Sequence, residues 1–168
     1  MRAAPDKGEV AAYIPELGCI DPNQFGLAIW RPEEADILVG DADTPFSIQS
    51  ISKVFTLTRA MAGKGDALWA RVGFEPSGDP FNSIVQLEAE RGKPRNPLIN
   101  AGAIVVADCL LAGRSVAATL EEITEFVRQA AGDESIAADP AVAASEMRTG
   151  QRNRALANFM AAEGNLHA

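Results

Sequence analysis

The segment from Asn100 to Leu111, NAGAIVVADCLL, constrains this chain more than any other. It carries Ile104, Ala107, Leu110 and Leu111 at helical spacing with small residues between them, which predicts a well-buried helix at the centre of a core. Its uninterrupted apolar run, Ala101 to Ala107, stops at Asp108 and is far too short to cross a bilayer, so other parts of the chain must cover it. With 168 residues, 47% of them hydrophobic, there is enough material for one domain that buries roughly 68–70% of its unfolded surface.

Pattern predicts further helices. Ile51, Val54, Phe55, Leu57, Thr58 and Met61 recur at helical spacing after Ser50 until Gly63 stops the run. Thr119 and Glu122 form a capping box ahead of Ile123, Phe126, Val127 and Ala130, and Gly132 ends that amphipathic helix. Arg152 to Ala162 places Ala155, Leu156, Phe159 and Met160 on one side and closes at Gly164. The Ala-rich stretch Ala138 to Ser145, with its one proline, reads as a loop or irregular turn. Gln24 to Trp30 and Ala35 to Gly40 are short apolar runs separated by RPEE, which predicts a β-hairpin. Thr44 to Ile48 reads as a third extended piece. Few strands and several helices indicate an α/β or α+β fold.

Charge and composition remove several function classes. Fifteen Lys+Arg against 23 Asp+Glu give a net charge of −8, with the basic residues scattered among acids, so neither nucleic acid nor a membrane surface is an expected partner. Two distant cysteines, Cys19 and Cys109, and a start without an apolar signal core suggest a reducing cytoplasm. Cys109 reads as a buried small hydrophobe. The single histidine, His167, nearly excludes a histidine-based zinc site or a Ser-His-Asp triad within the chain. Catalysis here needs another base.

Ser50-Ile-Ser-Lys53 offers one. Residues three apart share a helix face, so a serine at a helix start meets a lysine one turn on. A serine hydroxyl attacks only when a neighbouring base takes its proton, and a desolvated lysine can be that base. Backbone N–H groups of the helix start add donors beside a developing oxyanion. On spacing alone, an exposed serine and a surface lysine explain the motif equally well.

Five ordered blocks place the motif in a wider pattern: GEVAAYIPEL (8 to 17), FSIQSISKVF (46 to 55), EPSGDPFNSI (75 to 84), NPLINAGAI (96 to 104) and SEMRTGQRNRALA (145 to 157). Together they resemble the serine-dependent glutaminases, over almost the whole chain. The resemblance implies a β-lactamase/transpeptidase-like serine-hydrolase fold, hydrolysis of L-glutamine to L-glutamate and ammonia, no metal or organic cofactor, and a homo-oligomer. It places the nucleophile on Ser50 and its lysine on Lys53, and substrate-holding groups on Asn100, Glu146 and Asn153. Tyr13 and Gln49 are similar to positions that line the family's pocket.

The residue types suit a free amino acid, which presents an ammonium, a carboxylate and a carboxamide. Glu146 can accept from the ammonium, Asn100 and Asn153 can both donate and accept, and Tyr13 brings a hydroxyl. Each also has a plainer reading: Asn100 as a helix N-cap, Glu146 as a solvated carboxylate, Asn153 as a helix-start residue, Tyr13 as a core residue before a turn. Family members continue well past a chain of this length, with later tyrosines and a late-strand backbone N–H that complete proton transfer and the oxyanion hole. Residues 1–168 are therefore expected to form one domain corresponding to the family's N-terminal portion, with the hairpin edge bare. Two other readings stay open beside the enzyme. One is a catalytically incomplete glutamine-binding or oligomer-modulating homologue. The other is a penicillin-binding or β-lactamase-type acylase, which would share S-x-x-K but is expected to show S-D-N-like and K-T-G-like motifs.

Overall fold

The computed structural model describes residues 8–167. In chain order its regular elements are β1 (Gly26–Ile29), β2 (Ile37–Gly40), α1 (Ser52–Lys64), α2 (Val85–Ala89), α3 (Asn100–Leu111), α4 (Val116–Ala131), α5 (Pro140–Thr149) and α6 (Gln151–Ala162), with 3-10 turns at Pro15–Cys19, Gln49–Ile51 and Gly65–Ala70. These divide into two compact units: residues 8–47 with Asp139–Thr149, and Ile48–Ala138 with 150–167.

In the first unit β1 and β2 form the expected antiparallel hairpin, with Gly26 opposite Gly40 and Ile29 opposite Ile37. The Phe25 N–H donates to Asp41 Oδ2 at 2.9 Å and closes its open end. Leu27, Leu38 and Val39 are all exposed. The extended piece expected at Thr44 to Ile48 does not form a strand: Thr44 N–H closes a turn on Asp41 O at 3.0 Å, Pro45 has no N–H to pair, and Ile48 already has helical torsions.

Ala138 to Ser145, expected as a loop, is largely helical and opens α5. Asp139 Oδ1 accepts from the N–H groups of Ala141 (2.8 Å) and Val142 (3.0 Å), and Pro140 takes the first helical position, where a missing N–H costs nothing. Alanine, the best helix former, fills three of the next four positions, Ala141, Ala143 and Ala144. The helix packs on the Pro15–Cys19 turn, and Ile14 and Ser145 are both buried.

The second unit holds the main core, with α3 at its centre against α1, α4 and α6. The α3 boundaries match the expectation, but the buried face does not. Ala101, Gly102, Val105, Val106, Asp108 and Cys109 are buried, whereas Ile104, Leu110 and Leu111 are half-buried and Ala107 is exposed. A helix apolar on nearly every side has no face marked by spacing, so the small residues decide where neighbours come closest. At Gly102 a Cβ would lie 1.9 Å from the Asn96 carbonyl oxygen, so no side chain fits there.

Three other boundaries shift. The helix after Ser50 runs past Gly63 to Lys64 and is capped by Gly65, whose φ of 54° suits glycine. The N-cap of α4 is Ser115, which accepts from Ala118 N–H at 3.2 Å. Thr119 lies inside the helix with its hydroxyl donating to Ser115 O at 3.1 Å, and Glu122 pairs instead with Arg59 and Arg114. The last helix starts at Gln151 and buries Leu156 and Met160, with Phe159 half-buried and Ala155 exposed.

A polar clasp holds the chain after α6 against α3. Arg71 donates to Asp108 Oδ2 at 2.6 Å, and Asp108 Oδ1 accepts the His167 N–H at 3.0 Å. Asn165 Nδ2 donates to the carbonyls of Arg71 and Gly92, each at 2.9 Å. Arg71 also donates to the Cys109 sulfur at 3.1 Å, yet burial pushes the Cys109 thiol above its ordinary 9.0. No single helix among the described residues is long and apolar enough to cross a membrane.

Candidate active site

The site grows from helix starts. Gln49 opens the 3-10 turn that leads into α1 with φ of 42°, a strained conformation for a residue with a side chain, and Ser50 comes next, exposed. Lys53 sits one turn on, at the second position of α1, with its side chain half-buried. Its ammonium donates to Leu98 O at 3.1 Å and to Asn100 Oδ1 at 2.7 Å, and lies 5.7 Å from the centre of the Phe81 ring.

Asn100 is the first residue of α3, and its N–H donates to Phe81 O at 2.9 Å. Its side-chain amide bridges two helices, with Nδ2 donating to Asn153 Oδ1 on α6 at 3.1 Å. Donor chemistry sets the direction of this chain of contacts. An ammonium only donates, so Asn100 must turn its oxygen to Lys53 and its nitrogen to Asn153. Asn153 must then accept through Oδ1, which leaves its own NH₂ as the donor end.

The starts of α1, α3 and α6 are thus tied together through Lys53, Asn100 and Asn153. Helix starts carry partial positive charge, and an ammonium stands among them, so the cluster favours an anionic group or a carbonyl oxygen that gains charge during reaction.

Of the residues expected from the sequence, Lys53, Asn100 and Asn153 are joined by direct hydrogen bonds, and Ser50 and Gln49 lie in the same unit. Tyr13 and Glu146 belong to the other unit: Tyr13 precedes the Pro15–Cys19 turn and is 73% exposed, and Glu146 is exposed on α5. Two participants were not foreseen, the Leu98 carbonyl and the Phe81 ring. Both stand inside the family blocks, but a carbonyl has no side-chain signature and a phenylalanine reads first as core. Among the described residues no group of three or more His, Cys, Asp or Glu is placed to hold a metal ion.

Comparison with known proteins agrees over nearly the full length. The family model described as Glutaminase matches residues 8–168. A glutaminase of Methylobacterium sp. (strain 4-46) is 61% identical over 164 residues, which are 98% of this chain and 53% of that protein. A glutaminase of Pseudoalteromonas atlantica is 61% identical over 161 residues, 96% and 53% of the two chains. A solved structure described as a probable glutaminase is similar with a TM-score of 0.90 and 35% identity, covering 98% of this chain and 53% of that one. The probable glutaminase from Bacillus subtilis complexed with 6-diazo-5-oxo-L-norleucine is similar with a TM-score of 0.79 and 33% identity, covering 96% and 47%. The chain spans about half the length of the curated relatives it matches.

Proposed function

The chain belongs to the glutaminase family, and we propose that it supplies the nucleophile, the base and much of the substrate grip for hydrolysis of L-glutamine to L-glutamate and ammonia. The observation that carries this reading is the hydrogen-bonded series Lys53–Asn100–Asn153 at the helix starts, one turn from Ser50.

In this mechanism Ser50 Oγ attacks the side-chain carboxamide carbon while Lys53, in its neutral amine form, takes its proton. The tetrahedral intermediate carries an oxyanion, which the N–H groups at the start of α1 stabilise. Lys53 returns the proton to the leaving nitrogen, the C–N bond breaks, and ammonia departs. Water then adds to the glutamyl ester, and cleavage of the C–O bond releases glutamate and restores Ser50. Glu146 accepts from the substrate ammonium, Asn100 and Asn153 meet its carboxylate or amide, and Tyr13 and Gln49 line the pocket. Asparagine, one methylene shorter, would be disfavoured by about 1–3 kcal/mol. The Bacillus subtilis relative is consistent with this substrate class, because its ligand is an amino acid with a carbonyl where glutamine has its carboxamide carbon. The free thiols of Cys19 and Cys109 suit the cytoplasm as compartment.

The test is ammonia release from L-glutamine by the folded chain and by Ser50→Ala, with mass-spectrometric mapping of the site alkylated by 6-diazo-5-oxo-L-norleucine. Release and labelling that both vanish in Ser50→Ala are expected. Release that survives the substitution, or an adduct on another residue, would overturn the mechanism. A folded chain that binds glutamine without releasing ammonia would make it a binding portion only.

A further inference from the structure

The turn that carries Phe81 is anchored in an unusual way for a segment so exposed. Ser83 N–H donates to Pro80 O at 2.8 Å and closes the turn. Its two middle carbonyls are then held by different helices: Phe81 O accepts the Asn100 N–H of α3 at 2.9 Å, and Asn82 O accepts Arg152 Nε of α6 at 2.9 Å. These are the helices whose side chains, Asn100 and Asn153, make the candidate site. The Phe81 ring is 59% exposed, so core packing does not explain its place, yet its centre lies 5.7 Å from Lys53 Nζ.

An aromatic face is the negative pole of the ring quadrupole and attracts an ammonium. The ring therefore stands beside Leu98 O and Asn100 Oδ1 as a further neighbour of Lys53. We propose that Phe81 and Arg152 are positioning residues for Lys53: Arg152 grips the 80–83 turn, the turn holds the ring, and the ring holds the lysine head group in register with Ser50. Because Arg152 precedes Asn153 on one helical turn, the grip on the lysine and the contact with substrate share a rigid element. This inference rests on the glutaminase reading for its consequence in catalysis, but its geometry is testable without any turnover.

The chain has four lysines, so selective ¹³Cε labelling gives a spectrum with four expected methylene signals, and Lys53→Arg identifies the Lys53 signal by its loss. In the intact chain that signal is expected to be displaced by the ring current of Phe81. It should move toward the ordinary lysine position in Phe81→Leu, which keeps bulk without a ring, and stay near the native position in Phe81→Tyr. Arg152→Ala, a change at an exposed residue, should shift it in the same direction as Phe81→Leu, and Arg152→Lys should restore it. Where glutamine turnover is measurable, Arg152→Ala should lower kcat about tenfold, as expected for a slight misplacement of a reacting group, with KM changed less. A Lys53 signal indifferent to Phe81→Leu or to Arg152→Ala overturns the proposal, as does an Arg152→Ala variant that changes KM alone. A chain without turnover would refute the functional reading while the spectrum still decides the positioning.

Discussion

Replacing Asp108 by alanine probes whether the clasp at the far end of α3 stabilises the second unit through paired donors. The carboxylate is 6% exposed and its two oxygens answer different partners, Arg71 at 2.6 Å and the His167 N–H at 3.0 Å. Removing one member of a buried pair costs about 3–5 kcal/mol, because the other charge stays buried without its counterion. Arg71 would retain Asn165 Oδ1 and its carbonyl, so the low end applies, about 3 kcal/mol. Asp108→Asn should cost about 1–3 kcal/mol, since an amide has one accepting oxygen for two donors. Replacing the pair together, Arg71→Met with Asp108→Leu, should come within about 1 kcal/mol of the parent or exceed it. The assay is urea unfolding followed by Trp69, which packs edge-on against Phe74 in the same unit, in a Trp30→Phe background so that only this unit reports. At a slope of about 2 kcal/mol per molar urea, Asp108→Ala should lower the midpoint by about 1.5 M. A loss below about 1 kcal/mol, or a double variant no more stable than Asp108→Ala, would refute the reasoning.

Gly102→Ala should destabilise by about 3 kcal/mol, because its Cβ would press within 1.9 Å of a backbone oxygen that cannot rotate away; urea midpoints measure it. Burial raises the Cys109 thiol above its ordinary 9.0, so the folded state holds that proton more tightly than the unfolded chain. Its contribution is complete below about pH 9 and is lost as pH rises further, so the alkaline fall in midpoint should be shallower in Cys109→Ala. Glu146→Gln should raise KM for glutamine and leave kcat nearly intact, and an unchanged KM would remove Glu146 from the substrate grip.

The legible parts of the fold were those where one local signal had no rival. The hairpin had two apolar runs and a polar link, and α3 began at a polar residue and ended just before Gly113. Where two signals overlapped, pattern failed. Ser115 and Thr119 both offer a cap, one turn apart, and the upstream serine captured the first turn while Glu122 found two arginines. The α5 start carried its own signature, Asp139 before Pro140, but an alanine-rich stretch without apolar periodicity concealed it. On α3 the boundaries were legible and the face was not, because a helix greasy on all sides gives period analysis nothing to distinguish.

The candidate site divides along the same line. Ser50 and Lys53 are three residues apart, so local geometry relates them before any fold is known. Asn100 and Asn153 are 47 and 53 positions from their respective partners, and spacing says nothing about contacts so distant; only the family blocks selected them. Once the fold brings the three together, however, the orientation of both amides is no longer arbitrary. A protonated lysine has no acceptor, so in that state the proton-donating direction runs from Lys53 through Asn100 to Asn153, and a group bound at the far end meets donors. That polarity favours a carboxylate or a carbonyl oxygen over an ammonium at Asn153. It leaves the recognition of the substrate's positive end to a carboxylate elsewhere, the role proposed for Glu146.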